Sequence, residues 1–436
     1  MTAATLLLLI QVGTPTSPAI PSFSRDIAPI LQQKCQVCHR PGSIAPFSLL
    51  TYQEVRGLAP LIKLRTEARV MPPWHIDRTV GIREFKNDRS LSDAELGTLL
   101  RWIEGGMPQG NPADLPPPVR WPDPSAWQLA QQFGEPDLVV RSTPFTVKAS
   151  GQDKWWRPAV DVGLNEPRWV RAIEIRPSYP GGRKAVHHVL ALLEQQEQGV
   201  TGLAHEAAHS GAPMSAGLFM EWAVGKTGEI FPENAGKLIL PGARIRWEVH
   251  YYATGQELKD DVVELGVWLY PRGVVPANRT ILRMFNAAPG SELDIPPGRS
   301  SMTQNFYTLP APARLENFQP HMHMRGKAMS MEAIYPDGRR ELLSMVSNFQ
   351  WRWHVNYIYA DHVAPLLPKG TVLVFTAWHD NTAANLNNPD PAQWVGWGDR
   401  TVDEMAHAWV DVTYLNQADY ERLLAERKAK QPAARP

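Results

Sequence analysis

The stretch Arg244–Tyr251, RIRWEVHY, alternates polar and apolar residues at every step. Successive side chains of a β-strand point to opposite faces, so this pattern predicts a strand with one buried face. Leu265–Tyr270 and Val372–Ala377 are strand-like too, and turn sequences such as PDG at 336–338 separate the strands. From residue 136 onward, about 300 residues of short strands indicate two β-sandwiches.

The composition is that of a folded globular protein, with 43% hydrophobic and 20% charged residues. The 44 basic and 44 acidic side chains cancel, so the charge does not indicate a nucleic-acid or anionic-membrane partner. The 40 prolines disfavour long helices and favour short strands joined by shaped loops. A chain of 436 residues is too long for one ordinary core, which predicts several domains.

The chain starts with an apolar run, Ala3–Val12. A membrane span takes about 20 apolar residues, so this run is too short for one. It fits the apolar region of a signal peptide, with Ser17 and Ala19 near a cleavage point, although no Lys or Arg precedes it. We therefore expect residues 1–19 to be a signal peptide, with a retained anchor as the alternative, and no other segment to span a membrane.

The motif CQVCH, Cys35–His39, contains the only two cysteines of the chain. In a C-x-x-C-H motif the two thiols add to the haem vinyl groups and the histidine becomes the proximal iron ligand. A thioredoxin-like pair would lie in a βαβ context, and a zinc site would need a second Cys or His pair nearby. Neither is present, so we expect one covalent haem c held by Cys35, Cys38 and His39.

The segment between this motif and the next helix contains candidates for the sixth iron ligand. Met71 opens the sequence MPPWH, and a thioether ligand raises the potential of haem iron. The order of C-x-x-C-H, Met-Pro and a helix resembles class I cytochromes c, which implies Met71 as the ligand. His75, Met107 and an open site are the alternatives.

Helical signals flank the motif. Ser92 and Glu95 form a capping box, apolar residues follow at helical spacing up to Ile103, and Gly105-Gly106 ends the run. We therefore predict a small all-α cytochrome c domain over residues 22–115. The proline-rich residues 116–135 are predicted to be a semi-rigid linker.

Histidines mark the strand-rich part of the chain. His321 and His323 are two residues apart, so a strand would present both on one face, where they can share a metal. His187 and His188 are adjacent, and sharing a metal would require a local twist or a bulge. His250 lies on the polar face of its predicted strand.

The order of these motifs resembles the copper type II, ascorbate-dependent monooxygenases, the group of peptidylglycine α-hydroxylating monooxygenase and dopamine β-monooxygenase. The resemblance spans about residues 136–414. The matching segments are VHHV at 186–189, EVHY at 248–251, HMHMRG at 321–326 and TVDEM at 401–405.

The resemblance implies two β-sandwiches, residues 136–285 and 286–416, with one copper on each, followed by a polar tail at 417–436. It implies that an electron-transfer copper is held by His187, His188 and His250. It implies that a catalytic copper is held by His321, His323 and Met405. The animal members are rich in disulfides, whereas this chain has no spare cysteine. The chain also shows no matching peptide-carboxylate pocket, so the substrate does not carry over.

The other histidines receive simpler interpretations. His407, two residues after Met405, is the rival copper ligand, and His379 is expected beside the second copper. Structural roles are expected for His354 and His362, and solvent exposure for His205 and His209.

The leading hypothesis is a haem- and copper-dependent monooxygenase that hydroxylates a small-molecule or peptide substrate with dioxygen. The haem would supply electrons, with a possible external donor, and the protein would be periplasmic or otherwise exported. No nucleic-acid partner is expected. The alternatives are a non-enzymatic electron-transfer protein with a copper-binding or partner-binding β-sandwich module, and a cytochrome fused to purely structural sandwiches.

Overall fold

The computed structural model describes residues 19–197, 217–288 and 292–430. The predicted signal peptide lies almost wholly outside the described residues, and His205 and His209 lie outside them as well. The helices are α1 (Ala28–Lys34), α2 (Tyr52–Glu67), α3 (Asp93–Glu104), α4 (Ala130–Phe133), α5 (Gly182–Ala185) and α6 (Gln417–Lys430), with a π-helical turn at Phe23–Ile27 and a 3-10 turn at Pro112–Asp114. Among the described residues, no helix combines the length and apolar character that a membrane crossing requires.

Strands dominate the rest of the described chain. The first twelve are β1 (Leu138–Arg141), β2 (Phe145–Val147), β3 (Lys154–Trp156), β4 (Ala159–Asp161), β5 (Arg168–Pro177), β6 (Val186–Glu194), β7 (Leu218–Ala223), β8 (Glu229–Ile230), β9 (Ala235–Ile239), β10 (Arg244–Tyr251), β11 (Leu258–Asp261) and β12 (Val263–Leu269). The remainder are β13 (Asn278–Asn286), β14 (Asp294–Ile295), β15 (Ser300–Thr308), β16 (Ala313–Leu315), β17 (Asn317–Met322), β18 (Gly326–Ile334), β19 (Arg340–Val346), β20 (Tyr357–Ile358), β21 (Leu366–Leu367), β22 (Val372–Asp380), β23 (Val395–Gly396) and β24 (Ala406–Tyr414).

One large sheet runs through the whole strand-rich part. It has 11 strands in the order β1-β12-β5-β9-β13-β24-β16-β21, with β8 beside β5 and β17 between β24 and β20. A five-stranded sheet contains β3-β10-β6-β7 and β4, and a four-stranded sheet has the order β15-β22-β18-β19. The large sheet is continuous because β9 pairs with β13 in parallel, with Ala235 opposite Asn278.

Each smaller sheet packs on one half of the large sheet and encloses a core. In the first core, Val170 and Leu265 of the large sheet meet Val189 and Val249 of the five-stranded sheet. In the second, side chains of β13 and β24 meet those of β18 and β22. The two cores therefore share one sheet, which brings the ends of β6, β10, β17 and β24 close together.

The predicted fold class, a small all-α domain followed by two all-β sandwiches, is wrong. Strands make up 35% of the chain and helices 17%, so the molecule is mostly β. The helices among residues 22–115 are separated by irregular segments, and the segment between α2 and α3 packs into the second β core instead of completing an all-α unit. The two strand-rich halves are not separate sandwiches either, since one sheet spans both. Local sequence patterns do not encode the parallel pairing of β9 with β13, so they do not reveal this continuity.

The segment between α2 and α3 joins the β part instead of a helical core. Trp74 and Ile76 are buried in the second β core. The Trp74 ring packs edge-on against Tyr357 at 4.8 Å, and Phe85 forms an isolated bridge with Tyr359. The N-terminal helices are thus tied to the β part by the chain that follows the haem motif.

Trp74→Ala is expected to lower the free energy of unfolding by about 3–5 kcal/mol, because it removes a buried aromatic side chain from a packed core. Trp394→Ala is the matched control, since Trp394 is 64% exposed. Urea denaturation followed by circular dichroism measures both variants. An equal, small effect of the two substitutions would contradict the packing of Trp74 in the β core.

Candidate metal centre

The first predicted ligand set comes together at the end of two paired strands. His188 of β6 lies opposite His250 of β10, and the next pair is Val186 with Tyr251. The register therefore shifts by one residue and leaves His187 in a bulge, which is the distortion that two adjacent histidines need to turn toward one point. One ring nitrogen from each of the three histidines lies within 4.8 Å of the others.

The ring spacings of this set fit a shared metal ion. Ring centres are 5.2 Å apart for His187 and His188, 5.3 Å for His187 and His250, and 4.9 Å for His188 and His250. Because metal–imidazole bonds are about 2 Å long, rings that share one ion have centres about 5 Å apart. The residues present therefore match a three-histidine site.

Neighbouring side chains hold His250 in place. Trp155 of β3 stacks on the His250 ring at 4.6 Å, and the Asp153 carboxylate lies 3.2 Å from its Nε2 atom. Burial lowers the pKa of His250 to about 4 and that of His188 well below its usual value. Both rings are therefore neutral near pH 7, the form that binds metals. Sequence reasoning missed Trp155 and Asp153, which no short-range motif marks.

The second predicted set lies at the end of β17. His321 and His323 have ring centres 5.2 Å apart, which also fits a shared ion. The Nδ1 atom of His323 is 3.1 Å from the Asp403 carbonyl oxygen, so its Nε2 atom is left to face the site. Met405 is half-buried immediately before β24, and His379 is 3.2 Å from the Met405 carbonyl oxygen through its Nε2 atom.

The loop that carries Met405 is fixed by buried charged groups. The Glu404 carboxylate accepts hydrogen bonds from the backbone N–H groups of His323, at 2.9 Å, and Arg325. The Arg325 guanidinium donates to the Asn381 side chain at 2.8 Å and to the Val402 carbonyl at 2.9 Å. Burial raises the pKa of Glu404 to about 7. Arg325 and Glu404 adjoin the predicted ligands in sequence, and that adjacency is the signal that could have identified them.

His407 also belongs to this set. It lies opposite His321 in the pairing of β17 with β24, and the two rings stack with centres 4.7 Å apart. Both nitrogens of His407 are buried without a hydrogen-bond partner among the described residues. A buried imidazole usually has such a partner, so this ring is available as a ligand. Met405 and His407 both remain candidates for the third ligand.

The two sets lie in contact with each other. The ring centres of His188 and His321 are 6.2 Å apart, although the residues come from different halves of the chain. His354 lies between the sets, with its ring centre 4.4 Å from His321 and 5.8 Å from His187. The sequence interpretation of His354 gave it a structural role. We call the combined group the histidine cluster, formed by His187, His188, His250, His321, His323, His354 and His407.

The haem motif lies at the end of α1. The backbone N–H groups of Cys38 and His39 donate to the Cys35 carbonyl oxygen at 3.1 and 3.0 Å. These bonds close a tight turn over Cys35–His39. The His39 Nδ1 atom lies 3.3 Å from the Phe47 carbonyl oxygen, which leaves Nε2 free for iron. These residues fit a covalently attached haem.

The candidates for the sixth iron ligand occupy different environments. Met71 and His75 line a common cavity of about 560 Å³, and burial lowers the pKa of His75 to about 4. Met107 instead packs against the helical cluster that also contacts Cys35. Met71 therefore stays a prediction, with His75 and Met107 as its alternatives.

A small cavity lies beside the histidine cluster. Burial raises the pKa of the Cys38 thiol, and the positive charge of Arg89 opposes this effect. Arg89 also lines a cavity of about 90 Å³ together with Pro73 and His354. Arg89 is therefore near enough to the haem motif to act on it electrostatically, and it lies beside the cavity next to the cluster.

Comparisons with known proteins add little. No family model matches the chain, and no curated protein matches it. Solved structures with some similarity include the major capsid protein P2 from bacteriophage PM2, at 12% identity and a TM-score of 0.27, covering 64% of this chain and 98% of that one. Another is the top component of cowpea mosaic virus, at 7% identity and a TM-score of 0.29, covering 65% of this chain and 90% of that one. PNGF-II has 10% identity and a TM-score of 0.25, covering 69% of this chain and 64% of that one. Similarity at this level supports no argument about fold or function.

Proposed function

We propose that this protein is a haem- and copper-dependent monooxygenase that hydroxylates an organic substrate with dioxygen. The observation that carries the proposal is the convergence of the two predicted ligand sets. His188 and His321 are more than 130 residues apart in sequence, yet their ring centres are 6.2 Å apart. The two ligand sets were selected from sequence motifs alone. Motifs so far apart in sequence would not be expected to lie together unless they form one site.

Each of the two ligand sets would hold one copper. His187, His188 and His250 would hold one copper, and their bulged strand geometry presents the three neutral nitrogens to one point. His321 and His323 would hold the second, with the Met405 thioether as the soft ligand that favours Cu(I). Bound copper would supply the one-electron and dioxygen chemistry that hydroxylation of a C–H bond needs. Glu404 and Arg325 would keep the Met405 loop in position.

The haem motif supports the electron-supply part of the proposal. A haem bound by Cys35, Cys38 and His39 would provide single electrons. The charge of Arg89 acts on Cys38, and Arg89 lines the same small cavity as His354, so one side chain lies near both the haem motif and the histidine cluster. A donor within the same chain has a high effective concentration. Covalent haem attachment of this type also supports a periplasmic or otherwise exported location.

A second candidate function is electron transfer without substrate turnover. The cavity beside His354 has a volume of about 90 Å³. Sites for organic ligands have volumes of about 300–1,000 Å³, so this cavity fits a few water molecules better than a substrate. A copper-binding relay fed by the haem would use the same residues.

One experiment tests the proposal before any substrate is identified. Protein with haem and copper is reduced, mixed with dioxygen, and followed by the haem absorbance. Haem reoxidation is expected to be much faster in copper-loaded protein than in copper-free protein, and slow in copper-loaded His321→Ala/His323→Ala. Equal rates in all three samples would contradict the proposal.

The same samples separate the two candidate functions. Labelled dioxygen is added with a panel of small organic molecules and short peptides, and products are analysed by mass spectrometry. Incorporation of one labelled oxygen atom that requires His321 and His323 supports the monooxygenase. Copper-dependent haem oxidation with no labelled product from any compound favours the electron-transfer protein.

A further inference from the structure

His354 makes closer ring contact with His321 than the predicted partner His323 does. The ring centres are 4.4 Å apart for His354 and His321 and 5.2 Å apart for His323 and His321. The His354 and His321 planes are inclined by 81°. Two steeply inclined imidazoles at about this spacing can direct one nitrogen each toward a common ion. The spacing of His354 and His321 is therefore compatible with a shared ion, as is the spacing of His323 and His321.

The position of His354 is fixed by both halves of the chain. The Gln319 side-chain amide donates to the His354 carbonyl oxygen at 3.3 Å and to the Glu221 carboxylate at 2.9 Å. Gln319 lies on β17, two residues before His321, whereas Glu221 lies on β7 of the first half. The backbone of His354 is therefore tied to the same strand end that carries His321.

His354 also faces the first ligand set. Its ring centre lies 5.8 Å from His187 and 6.1 Å from His188. Its neighbour His321 has a buried Nδ1 atom without a partner among the described residues, and a bound ion would provide that partner. A purely structural histidine would be expected to bond to backbone or carboxylate groups rather than lie among other imidazoles.

We propose that His354 is a copper ligand of the second centre, beside His321, and that it brings this centre against the first. The inference rests on the proposed function, because it assumes that the cluster binds copper. It adds a ligand that the resemblance to known copper monooxygenases did not indicate.

The test measures copper binding to His354→Ala and to the more conservative His354→Gln. Loss of a direct ligand is expected to weaken the second copper by more than about 100-fold, beyond the 10–100-fold typical of residues that only support a ligand. The matched control is His362→Ala, because the His362 side chain is 63% exposed and contacts Glu84 on the surface. Near-ultraviolet circular dichroism and the haem spectrum report whether each variant is folded.

A spectroscopic measurement makes the test independent of these variants. In His187→Ala/His188→Ala, which retains the second centre alone, copper X-ray absorption counts the imidazoles on that ion. Imidazoles from His321, His323 and His354 are expected, and adding His354→Gln should lower the count by one. An unchanged count after that substitution would assign the third imidazole to His407 and overturn the inference. A count that His321 and His323 alone account for, or a loss of affinity below the stated range in the His354 variants, would overturn the inference. Failure of the unmodified protein to bind two coppers would instead overturn the proposed function.

Discussion

Replacing His187 and His188 together by alanine is expected to remove one of two bound coppers per chain. His321→Ala/His323→Ala is expected to remove the other copper. Each double substitution removes two imidazoles from one of the two predicted ligand sets, and the ligands that remain are expected to be too few to retain copper through dialysis. The unmodified protein should contain two coppers and one iron per chain, as measured by mass spectrometry after copper loading and dialysis.

The iron content provides an internal control for these variants. The predicted haem ligand His39 lies outside the histidine cluster, so iron should stay at one per chain in both double variants. His362→Ala should keep both coppers, because His362 is a surface residue paired with Glu84 at 3.0 Å. Unmodified protein that keeps its iron but no copper would contradict the monooxygenase proposal and leave a haem protein with a β-sheet binding module.

Local patterns in the sequence predicted individual elements well. The alternation over Arg244–Tyr251 matches β10, which has the same bounds. The capping box of Ser92 and Glu95 is confirmed, since Ser92 accepts from the Glu95 backbone and the Glu95 side chain accepts from the Ser92 N–H. Both features depend on residues close in sequence, where periodicity and capping chemistry decide the structure.

The arrangement of the elements depended on contacts that are distant in sequence. Nothing near Ala235 or Asn278 indicates that β9 and β13 pair and make one sheet of the two halves. Trp74 and Phe85 follow a haem motif, which favoured a helical environment, yet both pack with Tyr357 of the β part. An apolar residue in a sequence predicts burial but does not say in which core.

The candidate site also combines features that nearby residues predict with features that depend on distant contacts. The requirement for a bulge at His187 follows from the alternation of side chains along a strand, and the register shift of β6 against β10 provides it. His354 has no partner at a motif spacing, and its aromatic neighbours in sequence indicated a structural role. Only the packing of the segment before β20 against β17 brings it to His321.

Buried charges between the two halves lead to the second large expected effect. Lys226 is buried and bonds to Glu221 at 2.9 Å and to Glu229 at 2.7 Å. Lys237 bonds to Glu229 and to Asp411, each at 3.1 Å. Two ammonium groups thus face three carboxylates, and burial raises the pKa values of Glu221 and Asp411. Removal of either lysine would leave carboxylates without a counter-charge in a site away from water.

Lys226→Met is therefore expected to lower the free energy of unfolding by about 3–5 kcal/mol, the usual cost of leaving a buried charge unpaired. Urea denaturation measures the change. Lys259→Met is the control, because Lys259 has a side chain that is 76% exposed, and it should change stability by less than about 0.5 kcal/mol.

A second substitution distinguishes loss of charge pairing from loss of packing. Adding Glu221→Gln to Lys226→Met removes one of the carboxylates that the lysine neutralises, so part of the lost stability should return. A Gln at this position can still bond to Gln319, the partner of Glu221 at 2.9 Å. If the double variant were less stable than Lys226→Met, the carboxylate of Glu221 would be stabilising without the lysine. Ion pairing with Lys226 would then not explain the stability that Glu221 provides.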